Sequence, residues 1–216
     1  MEILVDLAAL LASALTLVAY HLFLRHRERT HPAYTIQTVT AIARTAGVES
    51  IMSEPGKEIL AVQTLRNSTM AATFLASTAI LLIIGVLSLS GQGDKLSDAW
   101  HALNYFGGTH RELWMVKLLL LLLSLLVAFF SFAMSIRVFN HVGYMINVPF
   151  DLNHDAISPR TVATHLNRAG RFYSVGMRAY YFVVPLLFWL FGPHLMLLAT
   201  LVLVVVMHKL DRAPVA

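Results

Sequence analysis

The chain has 216 residues, of which 57% are hydrophobic and 13% charged, with a formal net charge of +4 and no cysteine; its mean hydropathy is +0.68 and its pI about 9.6. That balance lies outside the soluble globular range and makes lipid the solvent. It excludes disulfides, thiolate metal sites, cysteine nucleophiles and palmitoylation, and the basic pI points to membrane topology and anionic lipid rather than nucleic acid.

The predicted fold class is all-α: a polytopic membrane helix bundle with four transmembrane helices plus short amphipathic cytoplasmic helices. Residues 1–216 read as one integral membrane domain, with spans at 3–24, 70–89, 113–136 and 179–208. A span needs about 20 residues of helix to cover a hydrocarbon core of about 30 Å.

The first span opens on Glu2 and Asp6 instead of a basic stretch, and Arg25, Arg27 and Arg29 follow it. That order predicts an uncleaved first helix with its N-terminus outside. Asp6 is read as interfacial. Ser13, Thr16 and Tyr20 share one face. The juxtamembrane arginines are expected to determine topology and to contact anionic lipid headgroups.

Residues 35–52 read as an amphipathic helix, Pro55-Gly56 as a break, and residues 57–67 as a helix continuing directly into the second span. On that span Arg66, Met70, Thr73 and Ser77 share a face. The gap 90–112 carries only Lys95 and Arg111 against Asp94, Asp98 and Glu112, and so reads as external. Within it, residues 96–106 suggest a short interfacial helix with Trp100 and Tyr105 at headgroup depth. Thr109 and Glu112 fit a capping box opening the third span.

The third span carries a stripe of Ser124, Ala128, Ser131 and Ser135, the composition of close helix packing in lipid. Its extension places Arg137, Asn140, His141 and Tyr144 on one face. The segments 25–69 and 137–178 hold most of the Lys and Arg and are read as cytoplasmic. Asp151 to Asp155 only begins like a calcium loop: Ala156 and Val162 stand where glycine and glutamate are required. Ser158-Pro159 predicts an N-cap followed by proline at N1, opening a cytoplasmic helix that can run into the fourth span.

The last apolar stretch, 179–208, is interrupted by Pro185 and Gly192-Pro193, and the pieces 179–191 and 194–208 are each shorter than a span. It is read as one tilted, kinked helix, which puts both termini outside. The alternative is a broken or re-entrant helix, with the C-terminus inside.

Polar residues gather at the cytoplasmic ends of the spans, and the outer halves read as almost pure hydrocarbon. The expected site is therefore a cationic vestibule of Arg66, Asn67, Thr73, Arg137, Asn140, His141, Tyr144, Arg178 and Tyr181. It belongs to a homo-oligomeric channel- or transporter-like protein that favours anions. Two alternatives stand beside it. One is a cytoplasm-facing membrane enzyme or haem/metal-binding protein acting on a lipid or amphiphile; the other is a structural or regulatory membrane subunit. No nucleophile, carboxylate pair, phosphate loop or ligand set is recognisable, so no catalytic residue and no cofactor is expected. His21 and His141 come nearest to metal ligands. The expected setting is a bacterial inner membrane, with lipid and a second copy of the chain as partners and no nucleic acid.

Three stretches carry a resemblance. They are Val62-Gln-Thr-Leu-Arg-Asn67; Phe129-Phe-Ser-Phe132 with Ser135-Ile-Arg137 and Asn140-His141; and Gly170-Arg171, Tyr173, Gly176-Met-Arg-Ala-Tyr-Tyr-Phe182 and Trp189-Leu-Phe-Gly-Pro193. Together they resemble the bacterial and plant membrane family called domain of unknown function 599. The resemblance covers nearly the whole chain and is weakest over 35–52. It implies a four-span integral membrane protein and brings no activity and no site residues.

Overall fold

The computed structural model describes residues 2–31, 33–54, 56–91, 111–148 and 157–213. The described residues form six α-helices: α1 (Glu2–Thr30), α2 (Ile36–Ser53), α3 (Glu58–Ser90), α4 (Arg111–Met145), α5 (Pro159–Phe191) and α6 (Pro193–Asp211). The expected helix at 96–106, the Thr109 cap and the 151–155 turn lie outside the described residues.

Five of these helices, all except α2, are long and apolar enough to cross a membrane, which corrects the four-span count. The helix expected to open at Ser158-Pro159 does run into the last apolar stretch, so α5 has 33 residues, is about 50 Å long and needs nothing beyond Phe191 to reach membrane length. After it, α6 has 19 residues, about 28 Å, close to the thickness to be crossed. Gly192 separates them at φ 150° and ψ 154°, a backbone region essentially reserved for glycine, and Pro193 then opens α6 at its first turn.

Several local expectations hold. Ser158 caps α5: its Oγ accepts from the Thr161 amide at 3.2 Å. Gly56, at φ 95°, turns the chain between α2 and α3. The helix at 57–67 is continuous with the second span, as α3.

The chain divides into two structural units. The first comprises residues 1–36, 80–126 and 179–216. In it, α1 and α6 run parallel: Ala9 packs with Met196 and Trp189 near their starts, and Tyr20 with Leu203 and Met207 near their ends. Tyr20 Oη donates to Asp211 Oδ2 at 2.7 Å. The Ala213 amide donates to the Tyr34 carbonyl at 3.0 Å, beside a single antiparallel bridge between Thr35 and Arg212. The end of α6 is thus fastened to the end of α1 that carries Arg25, Arg27 and Arg29. The start of α1 lies at the other end of that pair.

The first unit also holds a buried ion pair that the sequence did not suggest. Lys117 Nζ lies 3.2 Å from Asp6 Oδ1, with the two side chains 3% and 0% exposed. Trp189 Nε1 donates to the same Asp6 oxygen at 2.7 Å, and the ammonium sits 5.3 Å from the Trp189 ring centroid. Asp6 is therefore buried within the protein. The starts of α1 and α4 are thus not pure hydrocarbon: among the partners of this carboxylate are an ammonium and an indole N–H. Around it, Val86, Leu118, Leu121, Leu125, Val183 and Leu190 interlock α3, α4 and α5, and Ser124 Oγ donates across to the Ala179 carbonyl at 3.0 Å.

The second unit comprises residues 37–79 and 127–178. Val48 and Met52 of α2 pack with Ala61 and Leu65 of α3, Val142 and Ile146 of α4, and Val162 of α5. The α4 stripe does what its small residues suggest. Ala128 and Ser135 are fully buried, and Ser135 Oγ donates to the Ala169 carbonyl at 3.0 Å. Gly176 lets α5 approach so closely that a Cβ there would lie 2.7 Å from the Phe132 ring.

Candidate functional site

The second unit contains a cavity of about 710 Å³, inside the 300–1,000 Å³ range of small-ligand sites. Its floor is buried and apolar: Val48, Ala61, Leu65, Phe139 and Ile146. Ala43, Leu60, Thr64, Asn67 and Ala71 are exposed and form its mouth between α2 and α3. From Leu60 to Ala71 the cavity follows α3 for about 16 Å, at 1.5 Å per residue. Thr64 and Ser68 lie along that wall and donate to the carbonyls four residues back, Leu60 and Thr64. Their oxygens keep acceptor capacity toward the cavity.

Among the lining residues Arg44 is the sole charged one. Its guanidinium lies on the bare Cα of Gly170, where any Cβ would collide with it. One residue along, Asn167 Nδ2 donates to Thr45 Oγ1 at 3.2 Å, tying α5 to α2. Burial pulls the Arg44 pKa down, yet a guanidinium stays protonated in proteins. Among the described residues Arg44 has no hydrogen bond and no ion-pair partner. The nearby carboxylates are engaged elsewhere or exposed. Glu54 pairs with Lys57 at 2.6 Å, which holds its pKa low. Glu58 accepts from the Gly56 amide at 3.2 Å, and Glu49 faces outward.

Of the expected vestibule, Arg66, Asn67, Thr73, Arg137, Asn140, His141 and Tyr144 are all exposed, Tyr144 at 82%. Arg178 is half-buried, and Tyr181 is half-buried in the first unit beside Tyr20 and Met207. Asn67 alone borders the cavity. The Thr73 hydroxyl donates to the Thr69 carbonyl at 2.9 Å. Half-buried Thr16 and exposed Thr78 and Ser88 bond their own helices in the same way. A hydroxyl so satisfied sits in lipid at little cost, so part of the polar striping comes from the helices' own hydrogen bonding.

Arg25, Arg27 and Arg29 are exposed beside the end of α1. Arg27 lies over Phe23 and Tyr34, at 5.6 and 5.8 Å from the ring centroids. His21 Nδ1 donates to the Leu17 carbonyl at 2.9 Å, and its ring packs against Tyr20 and Phe182. Among the described residues no three His, Cys, Asp or Glu side chains come together as a metal site.

The family model described as "Protein of unknown function, DUF599" matches residues 8–216. The chain belongs to this family. No curated protein and no solved structure matches it. For this DUF599 member the expected resemblance holds, while its implied four spans become five membrane-length helices. Arg44 and Gly170 were missed as a pair because each is unremarkable alone. One is an arginine on an amphipathic helix, and the other a small residue on a packed one. Their one sequence trace is the α2 face made by Thr40, Arg44, Gly47, Val48 and Ile51, which mixes one charge into an apolar helical stripe.

Proposed function

We propose that this integral membrane protein is a transporter-like carrier that takes an amphiphile into the cavity between α2 and α5. The observation carrying the reading is the cavity itself: ligand-sized, floored by hydrocarbon, edged by hydroxyl and amide groups, and open at one side. The positive-inside bias places the end of α1 with Arg25, Arg27 and Arg29 in the cytoplasm. With five crossings, the N-terminus is then outside and the C-terminus inside. The basic segments before α3 and around α5 bring the cavity to the cytoplasmic leaflet of an inner membrane. The test uses Gly47, where an added Cβ meets nothing within 4 Å. Gly47→Phe puts a ring at the cavity lining from a position where its Cβ meets no neighbour. Mass spectrometry of amphiphiles retained by protein purified in nanodiscs should find a species in the wild type that is depleted in Gly47→Phe at an unchanged melting temperature. Equal retention by both proteins would refute the carrier.

One observation favours a second reading, a homo-oligomeric channel. Arg66, Arg137, Asn140 and His141 are exposed on a single chain, and subunit association would gather them around an axis. This reading requires that Arg66→Glu and Arg137→Glu alter anion flux into liposomes. It fails if flux is unchanged or if the protein is monomeric in lipid.

A further inference from the structure

A half-buried guanidinium with no partner is an expensive group to leave facing an apolar cavity. Burial has removed part of its hydration, and among the described residues no side chain or carbonyl bonds its five donors in exchange. The surrounding charge adds to the demand. Lys57, Arg66, Arg137, Arg160, Arg168 and Arg171 belong to the same unit, and the described carboxylates there are Glu49, Glu54 and Glu58 alone. The unit therefore presents a positive field, whose one element inside the cavity is Arg44. The floor, by contrast, offers only apolar side chains.

We infer that the cavity recognises an amphiphile whose head is a single anionic oxyacid, a carboxylate or a phosphate, held by Arg44 while its hydrocarbon lies along α3. The planar fork of arginine matches two oxygens of either head at once. Gly170 is the positioning residue. Its missing side chain lets the guanidinium lie flat on α5, and the Asn167–Thr45 bond holds α2 at that distance. The apolar path of about 16 Å along α3 accommodates one extended chain of about a dozen carbons.

This inference rests on the amphiphile-binding reading, and its test separates the two. Three diazirine-bearing dodecyl probes, a carboxylate, a phosphate and an alcohol, are photolysed with the protein in phosphatidylcholine nanodiscs, and labelled peptides are mapped. Both anionic probes should label α2 and α3 at least about tenfold more than the alcohol, the ratio expected of a charge-assisted pair. Arg44→Gln should abolish that preference while leaving alcohol labelling unchanged, which also reports an intact fold. Arg44→Lys should keep part of it, and Gly170→Ala, which retains the charge but pushes the guanidinium aside, should reduce it. Equal labelling by all three probes, still blocked by Gly47→Phe, would overturn the head-group assignment and leave the cavity standing. Absence of labelling at α2 and α3 would overturn both. Displacement of the probes by inorganic phosphate alone would also overturn the inference, because the site would then hold a free anion.

Discussion

Removing one member of the Asp6–Lys117 pair should destabilise the protein far more than removing both. The carboxylate and ammonium are 0% and 3% exposed and 3.2 Å apart, and Trp189 adds a 2.7 Å bond to the same oxygen. Asp6→Asn keeps an acceptor for the indole but strands a charged ammonium among Leu113, Trp189 and neighbouring apolar side chains. Breaking a buried pair from one side costs about 3–5 kcal/mol. Lys117→Met takes the ammonium away from the buried carboxylate and falls in the same range, about 3 kcal/mol at its lower end. In the double variant neither charge remains, and a methionine fills the volume of the lysine stem, so the loss should shrink to about 1–2 kcal/mol. The coupling between the two sites is then at least about 4 kcal/mol, far outside the additivity of independent positions. Reversible unfolding in mixed micelles, followed by tryptophan fluorescence, measures all four corners of the cycle. Single variants each costing under about 1 kcal/mol, or a double variant equal to their sum, would refute the buried pair.

Other outcomes follow from the same packing. Tyr20→Phe removes the donor to Asp211 and should cost about 1.5–3 kcal/mol in the same unfolding assay, as for a bond to a charged group. Gly192→Ala forces a Cβ into the backbone region at φ 150° and ψ 154°; it should lower stability by about 1–3 kcal/mol, and a neutral effect would argue for a continuous last span. Ser158→Ala should cost about 1 kcal/mol through loss of the α5 N-cap. Because the chain has no cysteine, Glu2→Cys and Lys209→Cys can each be probed with a membrane-impermeant maleimide. They should react from opposite faces, and labelling from one face would contradict the five crossings.

The membrane character and nearly every helix are legible in the sequence, because apolar length and Gly/Pro punctuation act locally. α2, the break at Gly56, the Ser158 cap and the packing stripe on α4 all follow from neighbours within a few residues. The fifth membrane-length helix was not legible. Whether Gly192-Pro193 bends a helix or ends one depends on how far α5 reaches toward its N-terminus, and its amphipathic first half hides that length from an apolar-run count. Asp6 and Lys117 stand far apart in the chain on different helices, and no periodicity joins them. The cavity was not legible for a related reason. Arginines at span ends catch the eye, and several of them face outward, Arg66 and Arg137 among them. Arg44 matters through a cavity that exists only once α2 packs beside a glycine of α5.

The most direct test of the amphiphile cavity is a protection measurement at its mouth. In this cysteine-free chain, Ala43→Cys places a single thiol at the exposed rim of the cavity, and Lys209→Cys places one at the end of α6, outside its lining. Maleimide reaction rates are followed in nanodiscs as dodecanoate is added. Binding in the cavity predicts saturable slowing at position 43, reaching its plateau at one molecule per chain, with no change at position 209. An unchanged rate at position 43, or equal slowing at both positions, would contradict it.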